Sequence, residues 1–496
     1  MNNLRTQQTE ARSSHLYLFV ALFLALALKI GLVLAEVVPF NSDEAVVALM
    51  ARHILEGERP IFFYGQAYMG SLDAWLVAVA FRLLGESVLA VRVVQIVLYL
   101  FFLVTLWAML QRFFVDGRVA NFAVILAAVP PVLMTTYTTA SLGGYSEVLV
   151  LGNLVLWLGY EVIFGVQREK IWAWLLLGFV GGIGFWVLGL ITVYLLAVVI
   201  VGLWKFSIKW LPYYFSGAIG FFIGSSLWWV YNFRHSWAAF ETLFQSDFAS
   251  VQIFQRIMRF GLLGLPALLG FRFPWTPNFA PWTVVFVILV FYQAVFVYLL
   301  KTAREGLQKI GNGAKLLGVF GLGFIGIFLI SRFGIDVTGR YFLPLYVLVF
   351  SISAVFIAAV WDQSKSLGII LLILFVAING VENVRAALLD DGITTQFGPS
   401  TRFDNSYDDA LISFLLEHDE MRGYSNYWVS FRLAFLSQER MIFVPRLPYD
   451  ISTYSYTDNR YPAYNQMVNE SEKIAYITTK YPELIKHGRM FAGISI

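Results

Sequence analysis

Long apolar runs separated by short polar loops dominate the chain as far as Leu389. A helix needs about 20 predominantly apolar residues to cross the hydrocarbon core of a bilayer. Runs of that order lie near residues 16–35, 91–111, 119–135, 146–164, 171–187, 189–204, 211–231, 281–300, 315–331, 341–361 and 366–386. They predict an all-α polytopic membrane domain of about 11 transmembrane helices. An odd number places the chain ends on opposite sides. Two weaker stretches, 71–84 and 256–272, read as juxtamembrane helices. In the first, Asp73 and Arg82 bracket only about eight apolar residues.

Basic residues then set the orientation. Arg5 and Arg12, Arg112 and Arg118, Arg168 and Lys170, Lys205 and Lys209, then Lys301, Arg304, Lys309 and Lys315, and finally Lys365 all fall in loops on one side. Cytoplasmic loops carry this excess of Lys and Arg, so the N-terminus is expected in the cytoplasm. Residues 36–90, 136–145, 232–280, 332–340 and everything after 387 are expected outside. If 71–84 crossed the membrane, every later basic loop would face outward, against that rule. The first apolar run has no small-residue cleavage site after Ala35 and reads as a retained helix.

Beyond Leu389 the pattern changes to Asp, Asn, Tyr and Pro. The chain is therefore expected to divide into a membrane domain, 1–389, and a small extracytoplasmic α/β domain, 390–496. Helical periodicity runs from Asp408 to Glu417 and from Tyr427 to Gln438, and strand-like runs span Met441–Val444 and Ile474–Thr478. The Tyr-rich stretch from Tyr449 to Tyr464 is the most irregular part.

Composition narrows the chemistry. With 59% hydrophobic and 14% charged residues, the chain cannot hide its apolar surface in one soluble core. A net charge of +3 is too small for nucleic-acid binding. The absence of cysteine excludes disulfides, thiolate chemistry and cysteine-ligated metals. The five histidines are scattered, without metal-ligand spacing, and no Gly-rich phosphate loop is followed by a lysine. No resident cofactor or metal is called for.

The polar groups at the outer ends of the helices carry the candidate chemistry. Ser42-Asp43-Glu44 follows the first span, with Ser42 as the expected N-cap and Gly57 as the stop of a surface helix whose apolar face holds Val46, Val47, Met50 and Ile54. Acids in a first turn complement the helix dipole by about 0.3–1 kcal/mol. Equally, one carboxylate can take a proton from an acceptor hydroxyl while its neighbour orients it. Arg92 opens the next span, where it either snorkels or binds a lipid phosphate through its planar fork. Glu147 begins a span after Gly143-Gly144-Tyr145-Ser146. Arg332, Asp336, Arg340 and Tyr341 gather at another outer loop. The segment Phe63–Gly70, with Tyr64 and Gln66, offers aromatic and amide groups suited to sugar hydroxyls, or else an interfacial aromatic loop.

These motifs together resemble the GT-C glycosyltransferases related to the protein O-mannosyltransferases and the lipid A aminoarabinose transferases. The resemblance covers residues 16–390 and rests on Ser42-Asp43-Glu44-Ala45, Gly57 with Pro60, Leu83-Leu84-Gly85, Ala90-Val91-Arg92 and Arg340-Tyr341-Phe342-Leu343-Pro344. It implies transfer of a sugar from a polyprenyl-phosphate donor to an acceptor hydroxyl of a glycan, lipid or protein on the outer face, with inversion. On this chain Asp43 becomes the base, Glu44 its neighbour, and Arg92 and Arg340 the donor-phosphate ligands. From the residues themselves, apart from the resemblance, Tyr64, Gln66, Tyr145, Glu147 and Tyr341 are expected as substrate contacts. Family members that use a divalent cation show separated acids in this loop, whereas here they are adjacent, so a metal fits only if Glu147 joins them. A prokaryotic cell membrane is the expected setting. The alternative is a transporter or flippase of a lipid-linked sugar, which would carry its charges near the midplane, often in repeated halves.

Overall fold

A computed structural model describes residues 2–240, 253–276, 278–305, 311–331, 339–398, 401–447 and 458–478, with side chains from Ser14 onward. Within them, seven helices are long and apolar enough to cross a membrane: Ser14–Leu34, Val88–Phe113, Tyr145–Ile163, Trp282–Arg304, Asn312–Ile330, Arg340–Gln363 and Lys365–Ala387. The chain is an integral, multi-pass membrane protein. The first of these spans is the apolar part of α1 (Asn2–Leu34). It is followed by α2 (Ser42–Glu56), a two-stranded hairpin of β1 (Phe62–Phe63) and β2 (Gln66–Gly70), α3 (Leu72–Leu84) and α4 (Val88–Phe113). At 13 residues α3 is too short to span, as its bracketing charges led us to expect.

The remaining expected runs are shorter or broken, for visible reasons. Residues 119–135 form α5 (Gly117–Ala128) and α6 (Val132–Tyr137), interrupted at Pro130-Pro131. Proline supplies no N–H and clashes with the preceding turn, so the carbonyls around it lose their helical partners. Asn379 and Asn383 of the last span replace them, donating to the Val129 and Pro130 carbonyls at 3.0 and 2.9 Å. Buried Lys29 of α1 holds the other end of α6, donating to the Thr135 carbonyl and to the hydroxyls of Thr138 and Thr139. Polar side chains that mend a broken helix in this way are what makes such a break tolerable at membrane depth.

The fourth long run becomes α7 (Tyr145–Ile163), followed by helices Ile171–Val187, Thr192–Trp204, Leu211–Gly224 and Ser226–Arg234. Gly178 and Gly182 meet Gly220 and Gly224 so closely that a Cβ on Gly182 would overlap the Phe221 carbonyl. Small residues spaced by four let two membrane helices touch backbone to backbone. The 256–272 stretch contains the short helices Ile253–Arg259 and Leu265–Leu268, joined by a π-helical turn at Phe260–Gly264.

The C-terminal segment holds helices Asp408–Glu417, Tyr427–Leu436 and Ala463–Asn469 around a parallel sheet in the order β4-β3-β5, with β3 Arg422–Ser425, β4 Ile442–Pro445 and β5 Ala475–Tyr476. Its central strand, Arg-Gly-Tyr-Ser, escaped the sequence pattern because it contains no apolar run. The Tyr427–Leu436 helix packs onto α2, which also packs against α3. That contact brings the tail to the acid pair.

Candidate active site

The site is built from the start of α2. Asn41, rather than Ser42, is the N-cap: its side chain accepts from the N–H groups of Asp43 and Glu44 at 2.9 and 3.2 Å. The Ser42 hydroxyl is thereby free to donate to the Tyr427 carbonyl at 2.7 Å. The helix ends as expected at Gly57, whose φ of 115° suits glycine.

The adjacent acids take opposite surroundings. Glu44 is fully buried, accepting from Arg92 Nη2 at 2.7 Å and from the Ser141 N–H at 3.0 Å. Burial pushes its pKa up to about 7, against the pull of Arg92 and the Ser141 N–H. Asp43 is only half-buried, and one of its oxygens accepts from the Tyr427 hydroxyl at 2.5 Å. Burial, and next the Asp43 charge, raise the Tyr427 pKa, so this phenol stays a donor. Asp43 therefore keeps a second oxygen for another proton donor.

Tyr427 carries a further cation. The Arg460 guanidinium stacks on the Tyr427 ring with its centre 5.3 Å from the centroid, and it lies within electrostatic reach of Asp43 and Tyr68. With its amide oxygen turned toward this group, Gln66 accepts from both terminal nitrogens of Arg460 at 2.7 and 2.9 Å. Tyr68 in turn stands near Tyr145, which also feels Arg340 and Tyr341. Asp43, Gln66, Tyr145, Arg340 and Tyr341 are thus linked through Tyr427, Arg460 and Tyr68; Tyr68 lies in the expected Phe63–Gly70 segment, whereas Tyr427 and Arg460 were not among the expected site residues. Arg332 and Asp336 lie outside the described residues, as do Tyr449, Tyr454 and Tyr456.

Other expected site residues lie to either side. Arg92 is 3% exposed, gives Nη2 to Glu44 and to the Val38 carbonyl, and lines a cavity of about 1250 Å³ with Glu36, Asp390, Gln396 and Arg402. Glu147 is buried against Asp73, which accepts from Gln95, the Ser141 hydroxyl and the Gly143 N–H. Burial pushes the Asp73 carboxyl up against the pull of these hydrogen bonds.

Tyr64 belongs to a clasp that fastens the tail. Its hydroxyl donates to Glu58 at 2.5 Å, its ring stacks on Tyr461, and Tyr461 donates to the other Glu58 oxygen at 2.6 Å. Beside it Glu439 accepts from Tyr464 and is held by His53 at 3.0 Å and Arg52 at 3.3 Å. Among the described residues, His53, Glu56 and Glu439 are the group of three side chains close enough to share a metal ion. Glu439 is already committed within it. Burial works against the Glu439 charge, but hydrogen bonds from His53 and Tyr464 outweigh it and bring its pKa down to about 2. A depressed acid stabilises the folded state above its ordinary pKa and loses that contribution as pH falls through the folded value. The clasp is accordingly expected to hold at pH 7 and to loosen as the pH drops from about 4.5 toward 2. Protease cleavage of the tail should rise over that window, and Glu439→Gln should show the higher rate already at pH 7.

Residues 71–229 match the family described as dolichyl-phosphate-mannose-protein mannosyltransferase. No curated protein sequence matches the chain significantly. Among solved structures, ArnT from Cupriavidus metallidurans bound to undecaprenyl phosphate aligns with a TM-score of 0.60 at 13% identity, covering 97% of this chain and 94% of that one. The same protein in the apo state gives 0.52 at 13% identity, covering 98% and 89%. An oligosaccharyltransferase from Archaeoglobus fulgidus gives 0.48 at 12% identity, covering 86% and 64%. The chain has the GT-C fold of the membrane glycosyltransferases, and its segment 71–229 carries the sequence pattern of the mannosyltransferase family.

Proposed function

We propose that the protein is a membrane glycosyltransferase that moves a sugar from a polyprenyl-phosphate donor to an acceptor hydroxyl, with Asp43 as general base. The observation that carries this reading is the contrast within the acid pair. Glu44 is sealed against Arg92, whereas Asp43 is half-buried, oriented by Tyr427 and within electrostatic reach of Arg460.

In the proposed step, Asp43 takes the acceptor proton as the acceptor oxygen bonds to the anomeric carbon and the bond from that carbon to the phosphate oxygen breaks. The electron pair leaves with the polyprenyl phosphate. One displacement inverts the anomeric centre. Negative charge grows on the phosphate, so a fixed cation stabilises the transition state more than the ground state. Of the two arginines expected there, Arg340 stands in the Tyr145 neighbourhood, while Arg92 spends one arm on Glu44 and faces the neighbouring cavity. The leaving phosphate is assigned to Arg340. The lipid carrier is supported by the bound undecaprenyl phosphate of the ArnT structure. A site at the extracytoplasmic face is supported by the placement of the basic loops, and the membrane domain 1–389 with a soluble 390–496 domain by the change of composition at Leu389.

Incubating the purified protein with a panel of polyprenyl-phosphate sugars tests the reading. Release of free polyprenyl phosphate, with the sugar passed to water or to an added acceptor, is expected for at least one donor. Translocation of the intact lipid-linked sugar in vesicles without cleavage would favour a flippase instead.

A further inference from the structure

The C-terminal segment places a buried guanidinium beside Asp43 without giving it an anion. Arg460 is 9% exposed, and its Nε has no hydrogen-bond partner. Among the described residues no carboxylate comes within ion-pair distance of it. Its terminal nitrogens meet the neutral amide oxygen of Gln66, and its plane rests on the Tyr427 ring. Asp43 acts on it only across space, since Tyr427 takes the short hydrogen bond to that carboxylate. The surroundings also make room for it. Gly65, at φ +69°, has no side chain where the Arg460 Cδ lies 3.0 Å from the position a Cβ would occupy. Removing a guanidinium from water is unfavourable unless a counter-charge and full hydrogen bonding replace the solvent. Here the counter-charge is incomplete, and the planar fork is the group that matches phosphate oxygens.

We propose that Arg460 is a phosphate-binding residue of this site, supplied by the C-terminal segment and completed by a phosphate-bearing substrate. The inference rests on the sugar-transfer reading above. Two substrates could bring that phosphate: the polyprenyl-phosphate donor, or an acceptor that is itself phosphorylated. In either case Tyr427 holds Asp43 and carries Arg460 on its ring, so proton acceptor and phosphate ligand share one support. The clasp made by Glu58 and Glu439 with Tyr64, Tyr461 and Tyr464 fixes the segment that bears Arg460. The site is complete only with that segment docked.

Binding of undecaprenyl phosphate and, separately, of glucosamine 1-phosphate to the purified full-length protein distinguishes the sources. Arg460→Gln is expected to weaken one of them at least about tenfold, as loss of a charged hydrogen bond does, with melting temperature and tail proteolysis unchanged. Weakening of the lipid assigns Arg460 to the donor, and weakening of the sugar phosphate assigns it to the acceptor. Arg460→Lys, which keeps the charge but not the fork, should retain part of the affinity, and it decides the matter if the Gln variant melts early. Both variants binding both probes as tightly as the parent protein would overturn the assignment while leaving the transferase reading intact. A parent protein that binds neither probe overturns both.

Discussion

Replacing Asp43 by asparagine is expected to lower sugar transfer by about a hundredfold or more while leaving the protein folded. Asparagine keeps the size of the side chain and an oxygen to accept from Tyr427, so the hydrogen bond at 2.5 Å has a counterpart in the variant. Only the ability to take a proton is lost. General-base contributions of about 10²–10⁴ in rate set the size of the effect. Donor binding should change little, because the phosphate ligands are untouched, so the loss falls on kcat rather than on KM. Tyr427→Phe provides the companion measurement. It removes the donor to Asp43 but keeps the ring under Arg460, and a smaller loss is expected. Near-parental turnover by purified Asp43→Asn, with unchanged melting, would sink the assignment of the base.

Sequence patterns reached the helical architecture because apolar length is a strong signal, and Asp43 drew notice because a polar pair after a long apolar run stands out. They failed where the determinant is a partner distant in sequence. The break at Pro130-Pro131 was hidden inside an apolar stretch, and its remedy comes from Asn379 and Asn383. Asn41 took the cap from Ser42 because Ser42 is drawn to the Tyr427 carbonyl, nearly four hundred residues away. Tyr427 and Arg460 reach the site only through docking of the tail, which no local periodicity reveals. The Tyr-rich stretch ending at Tyr464 did stand out as irregular, and part of its purpose is the clasp on Glu58 and Glu439. Tyr64, read as a possible sugar contact, is a member of that clasp.

Breaking the Glu44–Arg92 pair is expected to cost more stability than any other single change at this site. Both groups are almost wholly buried, the carboxylate at 0% and the guanidinium at 3% exposure, 2.7 Å apart. Arg92→Met leaves Glu44 with the Ser141 N–H as its remaining donor. Removing one partner of a buried pair typically costs about 3–5 kcal/mol, because the other charge stays behind without water. The survivor can escape that cost by taking up a proton. Glu44 is already raised from 4.5 to about 7, and Arg92 is what opposes a further rise. A raised acid binds its proton more tightly in the folded state, so its contribution to stability falls as pH climbs from the unfolded to the folded pKa. For the parent protein that window is about 4.5 to 7. Without Arg92 it extends upward, so the melting temperature of Arg92→Met should keep falling above pH 7, where the parent has levelled off. Glu44→Gln in the same background removes the titrating group and should flatten the curve and recover part of the loss. If Arg92→Met melts at the parental temperature at both pH 5 and pH 8, the pair is not what holds α2 against α4.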